Sequence, residues 1–462
     1  MTSTSSSVSV NRMETITKLV TDFVMNKVLP AEAEFEEYMN TRPTFQDRWG
    51  YIPSIVEHLK NEAKQIGIWN IFLPHHHPEW AKYRYINGNI NTNMGTGKYH
   101  NIPLLLSNYE YAPLAEILGY SPLASIATNC AAPDTGNMEV LIKYGNKQQQ
   151  QEWLIPLLEG KIRSAFLMTE PDVASSDASN IQTVFQKDYK TNEYIINGKK
   201  WWSTGALHPN CNMFLVLGKV EGSDSNPIHQ QHTILLVPRS TPGVQIIRPL
   251  TVFGYDDAPE GHAEIELTNV RVPFSNVILG EGKGFEISQG RLGPGRVHHC
   301  MRAIGLAERC HLQMLKRVTD PSRVVFGRPL WQHATIQSDI AENRINIDTA
   351  RQMVLHTAKL IDEKGAKGAR KEIAGIKVIV PRLCLQVIDR AIQAHGGAGV
   401  SQDTALARAW AGLRTLRIAD GPDIVHIRTM ALLELKDQLK KHKSSSTTSS
   451  TTSSSSLLQP KL

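Results

Sequence analysis

The chain has 462 residues, enough to bury a large core and to form two to four structural units. Lys and Arg outnumber Asp and Glu by 50 to 44, and the net charge of +6 is spread along the chain without a basic stripe, which argues against a nucleic-acid partner. No apolar run approaches the roughly 20 residues that span a bilayer. The five cysteines, Cys130, Cys211, Cys300, Cys310 and Cys384, lack Cys-x-x-Cys spacing and read as reduced, mostly buried thiols of an intracellular protein.

Residues 1–11 form a polar segment expected to be disordered, too poor in Arg and in amphipathic pattern for a transit peptide. From 12 to 39, Ile16, Leu19, Val20, Phe23, Val24 and Met25 recur at helical spacing, with a pause at Leu29-Pro30. A second helix is predicted over 55–67. Residues 73–103 read as irregular and include His75-His76-His77, Asn87-Gly88 and Gly95-Thr96-Gly97. Three adjacent histidines cannot all face one ion in regular structure and no second ligand cluster follows, so no metal site is predicted. A loop of this length is functional or disordered. Helix resumes over 104–119, 123–144 and 148–158.

The period then shortens. Runs at 164–168, 193–196, 201–204, 213–220, 233–237, 244–247 and 263–272 are short, rich in β-branched and aromatic residues, and separated by turn residues. Asn197-Gly198 between two of them is a hairpin signal. From Phe285 the helical period returns. Ile340, Ile347, Val354 and Ile361 lie seven apart with Ala350 and Ala358 on the same face, the seam of a long packed helix, and 371–394 is a second long helix expected to kink at Pro381. The plan is α+β and multi-domain: a helical domain over 12–160, a mostly antiparallel β domain over 161–280, a helical bundle over 281–442, and a disordered Ser/Thr tail over 443–462.

Four stretches could carry chemistry. Met168-Thr169-Glu170-Pro171-Asp172-Val173-Ala174-Ser175-Ser176-Asp177 is a strand entering a turn crowded with hydroxyls and free N–H groups, suited to a flat polar heterocycle or an anion, or simply an ordinary Ser/Asp-rich loop. In a strand, Trp202 and Thr204 share one face and can meet the same planar ligand. Ala394-His395-Gly396-Gly397-Ala398-Gly399 ends a helix where backbone can approach a phosphate, although without a preceding strand it is no dinucleotide fingerprint. In Arg417-Ile418-Ala419-Asp420-Gly421-Pro422-Asp423, Gly421 and Pro422 end one helix and open the next. Asp420 or Asp423 caps that next helix, or Asp420 is held inside as a base, its pKa raised by burial in the absence of a cationic partner.

Taken in order, Thr169-Glu170-Pro171, Trp202-Ser203-Thr204, Arg323-Val324-Val325-Phe326-Gly327, Gln393-Ala394-His395-Gly396-Gly397 and Asp420-Gly421 resemble the acyl-CoA dehydrogenase family over about 11–440. Residues 130–139 and Arg296-Val297-His298-His299-Cys300 resemble a subgroup whose relatives are sometimes fused to a kinase-like domain. The resemblance implies an N-terminal helical domain, a middle β domain and a C-terminal four-helix bundle, with FAD between the last two. It implies a homotetramer or homodimer, an acyl-CoA substrate and electron-transferring flavoprotein as acceptor. Phe166, Met168, Thr169, Trp202 and Thr204 would line the isoalloxazine, with Ser175 or Ser176 near flavin and substrate. Arg323, Phe326, Gln393, Gly396 and Gly397 would serve the adenosine diphosphate portion in a neighbouring subunit, and Ser176, Arg291 and Gly421 would face substrate.

The implied reaction is α,β-dehydrogenation: Asp420 takes the α-proton while a hydride leaves the β-carbon for flavin N5, giving a trans-2-enoyl-CoA as in fatty-acid β-oxidation. Most members carry Glu where this chain has Asp420, and the alternative base position of some members aligns with Gly290, which cannot act. Nitroalkane oxidases share the fold and use an Asp base, so a flavin oxidase is the alternative. Long, branched or 4-hydroxylated acyl chains are expected substrates of the subgroup. The terminal Pro460-Lys461-Leu462 half-matches a peroxisomal address, with the mitochondrial matrix as the other expectation.

Overall fold

The computed structural model describes residues 4–73, 77–84 and 106–447. Helix α1 (Thr4–Phe23) reaches into the segment expected to be disordered and continues through a π-helical turn (Val24–Val28) into α2 (Leu29–Asn40). Leu29-Pro30 therefore does not interrupt it; Pro30 falls where the π-helical turn gives way to α2 and the hydrogen-bond register changes. After α3 (Phe45–Gly50) and α4 (Ser54–Gln65), α5 (Asn108–Leu118) is opened by a capping box in which Ser107 and Glu110 exchange hydrogen bonds.

The single helix predicted over 123–144 is two, α6 (Pro122–Ala127) and α7 (Asp134–Tyr144). Pro133 lacks the N–H to continue a helix. Between the two, Asn129 adopts φ 55° and its amide donates to Asn70 Oδ1 at 2.7 Å and to the Leu157 carbonyl at 3.0 Å. A rod formed by α8 (Lys147–Gln149), a π turn and α9 (Ile155–Glu159) closes the domain. His75 and His76 of the triple histidine, and most of the 73–103 stretch, lie outside the described residues.

The middle domain is one seven-stranded sheet: β1 (Arg163–Leu167), β2 (Val184–Asp188), β3 (Glu193–Thr204), β4 (Cys211–Val220), β5 (His232–Pro238), β6 (Val244–Leu250) and β7 (His262–Pro273). The order is β1-β4-β2-β3-β7-β6 with β5 on the other edge of β4; β1 and β2 run parallel to β4 and the other pairs are antiparallel. Asn197-Gly198 is no hairpin. It sits inside β3, where the register against β7 shifts, and a Cβ on Gly198 would stand 2.4 Å from Thr183 Oγ1. This glycine serves close approach in a bulge.

The bundle is built from α10 (Gly284–Val318), α11 (Ala334–Gly368), α12 (Arg370–His395) and, after short α13 (Gly397–Val400) and α14 (Leu406–Thr415), α15 (Asp423–Thr447). A small hairpin, β8 (Val324–Val325) and β9 (Arg328–Pro329), joins α10 to α11. The seam expected on α11 is buried at Ile347, Ala350, Val354, Ala358 and Ile361, the Ile and Val side chains contributing about 1.5–3 kcal/mol each. Helix α12 runs on through Pro381. All five cysteines are free and buried. Among the described residues no helix is long and apolar enough to cross a membrane. Helix α15 extends to Thr447, into the tail expected to be disordered, and the terminal Pro-Lys-Leu lies outside the described residues.

Candidate active site

Asp420 sits in the seven-residue break, 416–422, between α14 and α15, in the left-handed conformation at φ 55°. Non-glycine residues rarely hold that conformation unless their surroundings impose it. Here the imposition is visible. The Asp420 carbonyl accepts from Arg296 Nε at 2.9 Å and lies 3.1 Å from His426 Nε2, while buried Lys377 of α12 donates to the Leu416 carbonyl and reaches the Gly421 carbonyl at 3.5 Å. Gly421, at φ 99°, has no room for a side chain, since a Cβ would stand 2.8 Å from His426 Nε2.

The two carboxylates of this break have separate roles. Asp423 takes Arg382 Nε at 3.1 Å and Arg417 Nε at 2.9 Å, so it ties α12 to the break. Asp420 turns toward α10 instead: its Oδ2 lies 3.4 Å from His299 Nε2 and 4.0 Å from where a Cβ on Gly295 would stand. The cationic partners absent from the sequence reading are thus present. Burial works to raise the Asp420 carboxyl, but His299 beside it and the charges of Arg291, Arg296 and Lys377 together outweigh it and hold the group below the ordinary carboxylate range.

Arg291 links this carboxylate to the β domain. Its guanidinium lies 4.2 Å from the centre of the Phe166 ring, and its Nε donates to Asn137 Oδ1 at 3.0 Å. Asn137 in turn donates to Ser164 Oγ at 2.9 Å, and Ser164 Oγ donates to Asp134 Oδ1 at 2.6 Å. A buried polar chain from α7 through β1 therefore fixes Arg291 against Phe166. Gly290, the alternative base position, is occupied from outside, because a Cβ there would stand 2.5 Å from the Tyr144 hydroxyl.

A second group gathers at the end of β3. Trp202 also has φ 51°, at a bulge that interrupts the simple alternation expected of Trp202 and Thr204. The two nevertheless converge on His262: the Trp202 and His262 ring centres are 5.5 Å apart, and Thr204 Oγ1 lies 2.9 Å from His262 Nδ1. Beside them, the Met168 carbonyl accepts from Lys200 Nζ at 3.0 Å and the Thr169 carbonyl from Trp201 N at 3.0 Å. Lys200 also donates to Glu170 at 2.8 Å, so an ion pair buried beneath the loop fixes its course. Ser175 closes the loop by exchanging hydrogen bonds with the Glu170 backbone, whereas Ser176 is exposed.

A third group lies on the bundle surface. Phe326, at φ 50°, is 96% exposed at the tip of the β8–β9 hairpin, and Arg323 leans on Asp320 at 3.4 Å. Gln393, Gly396 and Gly397 are exposed at the end of α12, with open space where Cβ atoms on the two glycines would be. The residues present fit a long cofactor with a flat head. Trp202 offers a face that is 40% exposed, Thr204 a hydroxyl, and the buried Trp201 Nε1 and Ser203 Oγ stand without protein partners nearby. His299, Arg302, Lys377, His426 and His262 carry no role in the sequence reading. The only signal for His299 is the run from Arg296 to Cys300, and Arg302 lies just beyond it.

This arrangement of helical domain, sheet and bundle around a pinned carboxylate is matched by two family models. The acyl-CoA dehydrogenase middle domain covers residues 165–270 and the acyl-CoA dehydrogenase C-terminal domain covers 282–432. The chain is 49% identical to acyl-CoA dehydrogenase family member 11 of Gallus gallus over 91% of its own length and 50% of that relative. It is 47% identical to the probable acyl-CoA dehydrogenase FadE2 of Mycobacterium tuberculosis (strain ATCC 25618 / H37Rv), over 90% of this chain and 93% of that one. A solved structure from Mycobacterium abscessus superposes with a TM-score of 0.82 at 44% identity, covering 92% of this chain and 98% of that one. Butyryl-CoA dehydrogenase from Megasphaera elsdenii shares the fold at a TM-score of 0.71 and 23% identity, over 92% and 98% of the two chains. The chain belongs to the acyl-CoA dehydrogenase family. It spans about half the length of several of the curated relatives it matches.

Proposed function

We propose that the protein is an FAD-dependent dehydrogenase that converts a saturated acyl-CoA thioester to the trans-2-enoyl-CoA, with Asp420 as the base that takes the α-proton. The observation that carries this reading is the Asp420 carboxylate, locked in a left-handed turn by Arg296 and His426 and set against α10 beside His299, within reach of the charge of Arg291. FAD, when bound, supplies the acceptor for the hydride. Phe166, Met168, Thr169, Trp202 and Thr204 would hold its ring and Arg323, Phe326, Gln393, Gly396 and Gly397 of a second copy its adenosine diphosphate, which makes the working unit at least a homodimer. Arg291, Ser176 and Gly421 face the substrate side in this reading, and electron-transferring flavoprotein is the electron acceptor.

Asp420 is ionised throughout the neutral range, so the carboxylate needs no deprotonation before it acts. The neighbouring cations that depress it make it a weak base in the free site. Catalysis then depends on acidifying the α-carbon through polarisation of the thioester carbonyl, and on closing water out when substrate enters.

The test is anaerobic flavin reduction with a panel of acyl-CoAs in wild type, Asp420→Ala and Asp420→Glu. Asp420→Ala should remain yellow and lose about 10²–10⁴-fold in reduction rate. Near-normal reduction in that variant sinks the assignment. Rapid reoxidation of the reduced wild type by air identifies an oxidase instead.

A further inference from the structure

His299 and Arg302 lie one turn apart on α10 and join Asp420 to the helical domain. Arg302 Nη1 donates to the Cys130 carbonyl at 3.2 Å, and Arg302 Nη2 approaches His299 Nδ1 at 3.2 Å. A guanidinium can only donate, so Nδ1 must present its lone pair to it, and the ring proton resides on Nε2. That nitrogen is the atom 3.4 Å from Asp420 Oδ2. The tautomer is therefore set by a fixed cation on one side of the ring, and the Nε2 side faces the carboxylate at 3.4 Å on the other.

We infer that His299 is the positioning residue of the reaction: Arg302 fixes its tautomer, and its Nε2–H holds Oδ2 of Asp420 so that Oδ1 is the oxygen presented to the substrate α-proton. This rests on the reading of Asp420 as the base. The groups facing the pair come from several elements: Arg291 and Arg296 of α10, Lys377 of α12, Arg302 beneath the ring, and His426 of α15 on the Asp420 carbonyl. Burial first, and Arg302 second, hold the His299 ring neutral against the pull of Asp420. A neutral N–H directs one carboxylate oxygen without claiming both, which a further Arg would do through its paired donors. The 3.4 Å separation is long for a hydrogen bond, as expected of a site that tightens when substrate arrives. The relay draws on both sequence signatures, with His299 from the run Arg296 to Cys300 and the Cys130 carbonyl from 130–139.

The experiment uses the flavin-loaded protein and the acyl-CoA that reduces wild type fastest. Anaerobic single-turnover reduction is followed from pH 5 to 9 in wild type, His299→Leu and His299→Gln, with 15N NMR of the histidine rings of the wild type as a readout independent of activity. His299→Leu should keep its flavin and bind acyl-CoA within about threefold, yet be reduced at least about tenfold more slowly. Its acid limb should move to higher pH, because the carboxylate has lost a donor that favours its charged form. His299→Gln places an amide N–H near the position of Nε2 and should recover to within a few-fold of wild type. The NMR should show the proton on Nε2. Unchanged rate and acid limb in His299→Leu, or a proton on Nδ1, overturns the inference. If no acyl-CoA reduces the wild type, the functional reading fails, and the tautomer still decides the relay.

Discussion

Asp420 and Glu139 are two carboxyl groups that share Arg291, yet charge wins at one and burial at the other. Around Asp420 four donors or cations converge. At Glu139, burial pushes the carboxyl up to about 7, and only Arg291 and Lys143 oppose it. Against an unfolded value of about 4.3, the native state holds more protons than the unfolded chain between pH 4.3 and 7, so this group's contribution to stability is present at low pH and is lost as pH rises through that window. Glu139→Gln removes the loss. Urea titrations should show the variant gaining on wild type by about 2 kcal/mol at pH 8 relative to pH 5; an equal difference at both pH values means that Glu139 titrates normally. The residue scale also shows where the function stores strain. Trp202, Phe326 and Asp420 all hold positive φ, one in each of the three site groups, and each costs of order 1–3 kcal/mol that the surrounding contacts must offset.

Helices α5 and α10 cross backbone to backbone. A Cβ on Gly305 would stand 1.8 Å from the Glu116 carbonyl oxygen, and one on Gly119 2.2 Å from the Arg302 carbonyl oxygen. Gly305→Ala must push the helices apart and should cost about 3 kcal/mol or more by chemical denaturation, at the upper end of overpacking penalties. Because Arg302 lies on this crossing, flavin reduction should slow in the same variant. Gly412→Ala, on α14 with open space around it, is the control and should match or slightly exceed wild type in stability. These glycines show what sequence can and cannot report about an element. The α11 seam was readable because Ile347, Val354 and Ile361 need only their own helix to declare a face. Gly198 reads as a turn residue because its reason, Thr183 pressed against it, comes from the segment that leads into β2 and is remote in sequence. Likewise Asp420-Gly421 was legible as a helix break with a carboxylate, but its charge balance was not. Arg296, His299, Lys377 and His426 are drawn from three helices and meet only in the folded bundle.

At the scale of the whole molecule the β8–β9 hairpin is the element the single chain leaves unexplained. Phe326-Gly327 forms its two-residue turn with φ 50° and 76°, a geometry that usually selects Asn-Gly, yet it displays a phenylalanine that is 96% exposed, with Val324 at 54% and Trp331 at 46% nearby. A strained aromatic with nothing beneath it stabilises no part of its own subunit, so its apolar surface is best satisfied by a second copy, as the proposed cofactor site also requires. Phe326→Asp should therefore lower the sedimenting mass of the holoenzyme by at least half and lower flavin content with it, because the adenosine diphosphate contacts leave together with the partner. Asp420→Ala should change neither quantity. A Phe326→Asp protein that sediments like wild type and retains its flavin would remove the hairpin from the subunit contact and from the cofactor site at once, whereas loss of flavin at unchanged mass would keep it in the cofactor site of its own chain.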